Sequence, residues 1–171
     1  MRLSVPLVTE QELNNLAERL GRCLIDNGLK LVSAESCTGG WVAKIITDVP
    51  GSSAWFIGSL VCYSNELKQR FLGVKVDTLI EFGAVSSDTV HEMSDGLFAY
   101  TDADVAVSVS GIAGPGGGSV DKPVGLVWLS WGRRGKPLLT QSFNFGGDRE
   151  AIRKQAIKQA LTCLLALLAC D

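Results

Sequence analysis

Apolar side chains recur along this chain at two spacings, one typical of helices and one typical of strands. Helical spacing begins after Thr9 and Glu12, whose three-residue separation is that of a capping box, and it ends at Asn27-Gly28. Further helices are predicted over residues 41–47 and 65–72, from Asp77 to about residue 83, from Ser87 or Asp88 onward, and from Asp148 nearly to the C-terminus.

Short apolar runs lie between these helices and predict strands over residues 29–34, 58–63, 105–109, 124–130 and 138–145. The tight connection at residues 133–136 predicts that the last two strands pair as an antiparallel hairpin. Strands that alternate with helices favour an α/β fold. We therefore expect one domain over residues 1–171, a three-layer α/β/α sandwich with a mixed, mostly parallel sheet of about five strands.

Composition and charge narrow the class of protein. The 171 residues are 46% hydrophobic and carry a formal net charge of −2, which is typical of a globular domain and argues against a nucleic-acid partner. The longest apolar stretch, residues 161–170, is half of the ~20 residues that span a bilayer, and no secretory leader is evident, so we expect a cytoplasmic protein without a membrane partner. Five unclustered cysteines and one histidine predict reduced thiols and no metal site.

Candidate chemistry begins at the segment ESCTGG, residues 35–40, which follows the first predicted strand and opens a helix. Backbone N–H groups at a helix N-terminus favour negative charge, and this suits a nucleophile whose transition state develops an oxyanion. Ser36 or Thr38 could equally be an ordinary helix cap. Cys37 is a rival nucleophile, because a helix N-terminus lowers the pKa of a thiol.

Two further segments follow predicted strands, at the edge where open α/β sheets place their ligands. Residues 111–118 contain five glycines around Pro115, so the backbone can approach an anion such as a phosphate closely, although a flexible loop would have the same composition. Lys68 would lie in the first turn of its helix, near the strand that ends at Tyr63, where the helix dipole would lower its pKa. An exposed surface lysine is the alternative.

Four stretches together resemble the C-terminal domain of the competence/damage-inducible CinA family, which also occurs alone as a nicotinamide-nucleotide amidohydrolase. The stretches are AESCTGGWVAKIITDVPGSSAWF, VCYSNELKQRFLGV, SVSGIAGPGGGSVDKPVGLVW and GGDREAIRKQA, and they cover most of residues 34–156. The resemblance implies hydrolysis of the carboxamide of nicotinamide mononucleotide to nicotinate mononucleotide and ammonia, without a cofactor or a metal.

The resemblance also implies roles for individual residues. Ser36 would be the nucleophile, and Tyr63 and Lys68 would form the base system. The implied substrate-binding residues are Thr38, Gly39, Ser53, Ser110, Gly111, Gly114, Gly116, Gly117, Gly118 and Arg149, with the glycine loop as the choice for the phosphate. We expect a small-molecule nucleotide as substrate and a homo-oligomer as the assembly. A catalytically silent nucleotide-binding or regulatory module, or a phosphatase-like hydrolase, would use the same loop.

Overall fold

A computed structural model describes residues 7–169 of the chain. This part of the chain forms six helices and five strands, with a short 3₁₀ turn at Ser52–Ala54. In chain order the elements are α1 (Glu10–Asp26), β1 (Leu31–Glu35), α2 (Trp41–Thr47), β2 (Phe56–Val61), α3 (Asn65–Leu72), α4 (Val76–Glu81), α5 (Ser87–Tyr100), β3 (Val105–Gly111), β4 (Leu126–Arg133), β5 (Leu139–Asn144) and α6 (Arg149–Ala169).

The five strands form one sheet in the order β2-β1-β3-β4-β5. β1 is parallel to both β2 and β3, whereas β4 is antiparallel to β3 and to β5. Four strands therefore run in one direction and β4 runs against them, which confirms the mixed sheet and the late hairpin.

Side chains that alternate along the strands divide between two helical layers. Leu31 and Val107 pack into a core with α1, α2 and α6, whereas Val32 and Ala106 pack into a second core with α3 and α5. Helices thus cover both faces of the sheet, and the predicted three-layer α/β/α sandwich is confirmed.

Two predicted helix starts are wrong by one or two residues, and tertiary contacts explain both. Ser86 caps α5 in place of Ser87 or Asp88, because its hydroxyl both accepts from the amide of Thr89 and donates to the carbonyl of Gly83. Asp77 does not cap α4. The cap residue is Lys75, whose amide donates to the Glu92 carboxylate of α5 at 2.8 Å.

The strand directions bring several chain segments to one edge of the sheet. β1, β2, β3 and β5 all end at this edge, so the segments that follow them, including the start of α6, lie near one another. Open α/β sheets bind their ligands at the carboxyl ends of such strands. Within residues 7–169, none of the helices combines the length and apolar character needed to cross a bilayer.

Candidate active site

Ser36 is the first residue after β1, at the start of the turn that leads into α2. Its amide donates to the carbonyl of Val109 in the neighbouring strand β3 at 3.0 Å, so the sheet itself fixes the position of this residue. Ser36 is 8% exposed, and it lines a pocket at the carboxyl ends of the parallel strands. Ser36 is therefore held rigidly and is open to a small ligand on one side.

Lys68 reaches the same point from α3. The helix is capped by Ser64, whose hydroxyl accepts from the amide of Leu67, and Lys68 occupies the first turn as predicted. Lys68 is 1% exposed, and its Nζ lies 2.9 Å from the Oγ of Ser36. The structure therefore rules out an exposed surface lysine.

The remaining contacts of the Lys68 amine are two backbone carbonyls. Nζ donates to Cys62 at 2.8 Å and to Tyr63 at 3.1 Å. Burial lowers the pKa of Lys68, because the charged amine loses its contact with water. A neutral amine can donate its two N–H groups to the two carbonyls and turn its lone pair toward Ser36. This is the arrangement that a serine nucleophile with a lysine base requires.

Tyr63 takes part in the site through two different groups. Its carbonyl accepts from Lys68, whereas its phenol, on a residue that is 60% exposed, accepts from an Nη2 N–H of Arg149 at 3.2 Å. Arg149 also donates from Nη1 to the carbonyl of Gly114 at 2.7 Å. These contacts join the start of α6, the end of β2 and the glycine loop at the mouth of the pocket.

The pocket has a volume of about 280 Å³. Its charged groups are cationic, Lys68 and Arg149, and no carboxylate of the described residues lines it. Gly114 and Gly117 have φ values of 78° and 85°, which side chains other than glycine rarely adopt. The lining residues are Ser36, Cys37, Tyr63, Lys68, Ala84, Val85, Ser110, Gly111, Ile112, Ala113, Gly114, Gly116, Gly117 and Arg149.

Four of the predicted binding residues do not line this pocket. Thr38 is fully buried and donates its hydroxyl to Glu35, and a Cβ at Gly39 would face the guanidinium of Arg153 at 3.4 Å. A Cβ at Gly118 would lie 2.8 Å from the amide of Val124, so this glycine permits close packing of the loop. Ser53 is exposed in the 3₁₀ turn that precedes β2, at the opposite end of that strand from Tyr63.

Cys37 lines the pocket, but its thiol is not activated. The residue is buried, and burial raises the pKa of the thiol to about 12, with the nearby Glu35 carboxylate acting in the same direction. The helix N-terminus does not lower this pKa as expected. The amides of Gly40, Val42 and Ala43 at the start of α2 already donate to Glu35. A thiol with a raised pKa is largely protonated near neutral pH, which favours Ser36 over Cys37 as the candidate nucleophile.

Residues 13–168 match the model of the CinA C-terminal domain family. The chain belongs to the CinA C-terminal domain family. It is 50% identical over 157 residues to nicotinamide-nucleotide amidohydrolase PncC of Escherichia coli (strain K12), covering 92% of this chain and 95% of that protein. It is 49% identical over 155 residues to the protein of the same name from Pseudomonas putida, covering 91% of this chain and 96% of that protein.

Solved structures of the CinA superfamily have the same fold. A CinA superfamily protein from Klebsiella pneumoniae 700603 has a TM-score of 0.89 and 39% identity, covering 93% of this chain and 99% of that one. The competence/damage-inducible protein CihA from Agrobacterium tumefaciens has a TM-score of 0.89 and 41% identity, covering 98% and 99%. The region that matches the CinA domain includes the whole pocket, from Ser36 to Arg149.

The residues that the sequence interpretation of this CinA domain missed are Glu35 and Arg153. Glu35 accepts a hydrogen bond from the hydroxyl of Thr38, in the turn that follows Ser36, and Arg153 donates to the carbonyls of Cys37 and Thr38. A usable signal for Arg153 was its separation of four residues from Arg149, which puts both on one face of α6. For Glu35 the signal was a carboxylate at the end of an otherwise apolar strand.

Proposed function

We propose that this chain hydrolyses the carboxamide of nicotinamide mononucleotide to nicotinate mononucleotide and ammonia, with Ser36 as nucleophile and Lys68 as base. The observation that carries the proposal is the 2.9 Å contact between Lys68 Nζ and Ser36 Oγ inside the pocket. The 50% identity to the amidohydrolase PncC of Escherichia coli supports this choice of substrate.

In the first step, the Oγ of Ser36 attacks the carboxamide carbon while its proton moves to the neutral amine of Lys68. Lys68 then gives that proton to the departing nitrogen, which leaves as ammonia, and an ester to Ser36 remains. In the second step, water gives up a proton to Lys68 and attacks the ester carbon, and Lys68 returns that proton to the departing Oγ of Ser36. The product leaves as the carboxylic acid, which loses its proton to solvent, and both side chains are restored. Burial supports this role, because it lowers the pKa of Lys68 and so increases the neutral fraction.

The negative charge that develops on the carboxamide oxygen needs a nearby donor. We assign this donor to the amide of Cys37, the residue that follows the nucleophile. Cys37 lines the pocket directly beside Ser36, so its N–H lies next to the attacking oxygen. In other serine hydrolases the amide after the nucleophile has the same task.

The phosphate of the substrate is assigned to the glycine loop and Arg149. Gly116 and Gly117 line the pocket without side chains, so their backbone can approach an anion closely. The guanidinium of Arg149 lies beside them and donates a hydrogen bond to the carbonyl of Gly114. A site of about 280 Å³ with the guanidinium of Arg149 at its mouth suits a free nucleotide rather than a nucleic acid.

Ammonia release from nicotinamide mononucleotide by the metal-stripped protein tests this proposal, with Ser36→Ala as the inactive control. The expected result is ammonia in stoichiometric amount with nicotinate mononucleotide and no inorganic phosphate. Release of phosphate instead would identify a phosphatase-like hydrolase. Binding of the nucleotide with neither product would identify a silent nucleotide-binding module and overturn the proposal.

A further inference from the structure

Two charged residues outside the pocket hold the turn that carries Ser36. Glu35 comes directly before the turn at the end of β1, and Arg153 reaches it from the first part of α6. We propose that Glu35 and Arg153 are positioning residues that keep the Oγ of Ser36 at hydrogen-bonding distance from Lys68. The inference rests on the proposed function for its main assay, but it concerns different residues.

The Glu35 carboxylate collects donors from the far side of the turn. It is 0% exposed, and its Oε2 accepts from the hydroxyl of Thr38 at 2.6 Å and from the amides of Gly40 and Val42 at 3.0 and 3.1 Å. Three contacts with one oxygen fix both ends of the turn relative to the end of β1. The carboxylate thus occupies the N-terminus of α2 that a substrate anion could otherwise use.

The second carboxylate oxygen extends this network to the sheet. Oε1 accepts from the amide of Ala43 at 2.9 Å and from the hydroxyl of Ser59 in β2 at 3.2 Å. Glu35 therefore connects β1, β2 and α2 in one buried site. A buried carboxylate with five donors is tied to a single position, because moving it would leave these donors without partners.

Arg153 binds the carbonyl oxygens of the same turn, whereas Glu35 binds its N–H and O–H groups. Its Nε donates to the carbonyl of Cys37 at 3.1 Å and its Nη2 donates to that of Thr38 at 2.8 Å. The guanidinium lies 5.0 Å from the ring centroid of Trp41 at the start of α2, which restricts its plane. The carboxylate thus takes the donors of the turn and the guanidinium takes its carbonyls.

Ser36 lies between these two anchors, and its orientation depends on both. Glu35, the residue before Ser36, is held by its own hydrogen bonds. Arg153 binds the carbonyl of Cys37, the residue after Ser36. A displacement of about 1 Å in an active site can cost about 10²-fold in rate. We therefore expect loss of either anchor to lower kcat and to leave binding of the nucleotide nearly unchanged, because neither residue lines the pocket.

The test compares Glu35→Gln, Arg153→Gln and Arg153→Lys with the control Lys154→Gln. Lys154→Gln removes a cation from the same turn of α6, near the same Trp41 ring. Lys154 pairs with Glu150 and does not contact the carbonyls of Cys37 and Thr38. For Glu35→Gln and Arg153→Gln we expect kcat to fall about 10²-fold with KM changed less than about threefold. Arg153→Lys should lie between these and wild type, because one ammonium lacks the two-pronged geometry.

The pH profile separates positioning from proton transfer and from mere stability. If Glu35 carried a proton, Glu35→Gln would shift the acidic limb of kcat/KM, whereas a positioning residue lowers the plateau and leaves the limb at its wild-type pH. Circular dichroism at the assay temperature confirms that each variant is folded. Should Glu35→Gln fail to fold, Ser59→Ala removes one of the five donors, and a smaller loss of kcat is expected.

The inference would be overturned if the single variants Glu35→Gln and Arg153→Gln both fold and both have the kcat of wild type. Labelling of Ser36 by a fluorophosphonate, followed by mass spectrometry, gives a second reading without the nucleotide. Slower labelling in both variants but not in Lys154→Gln supports positioning even if wild type releases no ammonia, in which case the proposed substrate alone fails. Equal labelling rates in all variants would overturn positioning, and an unreactive wild-type Ser36 would overturn both proposals.

Discussion

The Nζ of Lys68 lies 2.9 Å from the Oγ of Ser36, although 32 residues separate them in the chain. Parallel pairing of β1 with β2 explains the contact, because Ser36 follows the first strand and the helix of Lys68 follows the second. The two carbonyls that hold the amine, from Cys62 and Tyr63, come directly after β2. The sheet thus positions both Ser36 and the acceptors that orient the Lys68 amine.

The first prediction concerns the two neighbouring nucleophile candidates. Ser36→Ala is expected to abolish ammonia release and to leave the fold intact. Cys37→Ala should retain turnover, since burial raises the pKa of this thiol to about 12 and keeps it protonated. Steady-state assays of both variants at pH 7 check this. Loss of activity in Cys37→Ala alone would assign the nucleophile to the thiol.

The second prediction concerns the pH dependence of the base. Because burial lowers the pKa of Lys68, its neutral form appears at lower pH than for a free lysine, whose pKa is about 10.4. The proposed base works when neutral, so kcat/KM should rise with pH through the lowered pKa. The acidic limb of the profile should therefore lie below the free lysine value.

Substitutions of Lys68 distinguish a proton-accepting base from a fixed positive charge. Lys68→Arg keeps a positive charge that does not dissociate near neutral pH and should fail almost as completely as Lys68→Ala. Lys75→Arg, on a side chain that is 76% exposed, should behave as wild type. Near-normal turnover of Lys68→Arg would mean that a water or the phenol of Tyr63 takes the proton.

The third prediction concerns the phosphate. A Cβ at Gly116 would meet no atom within 4 Å, so Gly116→Val should fold normally and place its side chain in the pocket. We expect KM for nicotinamide mononucleotide to rise about tenfold or more, which corresponds to ~1.4 kcal/mol. Nicotinamide riboside, which lacks the phosphate, should be a poor substrate of wild type and should be affected little by the substitution. Equal losses on both substrates would place the phosphate elsewhere.

The fourth prediction concerns stability. Gly96 of α5 packs so closely on the end of α3 that a Cβ there would lie 2.0 Å from the carbonyl oxygen of Leu72. Gly96→Ala should lower the free energy of unfolding by about 3 kcal/mol, at the upper end of the cost of overpacking. Asp95→Ala, at an exposed position of the same helix, should change it by less than about 0.5 kcal/mol. Urea denaturation of both variants measures the difference.

Local signals predicted most of the helices and strands. The hydroxyl of Thr9 accepts from the amide of Glu12 as the capping pattern predicts, and the bounds of α2 and α3 agree with residues 41–47 and 65–72. The start of α4 was not predictable in this way. It depends on Glu92 of the next helix, α5, whose carboxylate accepts from the Lys75 amide.

The candidate site was predictable where a motif residue itself faces the pocket. Ser36, Lys68 and Arg149 belong to this class. Thr38 and Gly39 lie in the same motif, but Thr38 points into the protein interior and Gly39 faces Arg153, and the pattern alone does not tell which way a turn residue points. The side chain of Glu35 was overlooked because its donors are mostly backbone amides, which no sequence pattern displays.

The docking of α6 has a consequence for biosynthesis. Ser36 is synthesised early. Arg149, which binds the glycine loop, and Arg153, which binds the turn after Ser36, belong to the last helix, which begins at Arg149. A nascent chain that has emerged only as far as β5 contains Ser36 and Lys68, the proposed nucleophile and base, but lacks both arginines. Co-translational folding should therefore produce an inert intermediate, and catalytic competence should appear late, when the final helix packs against α1.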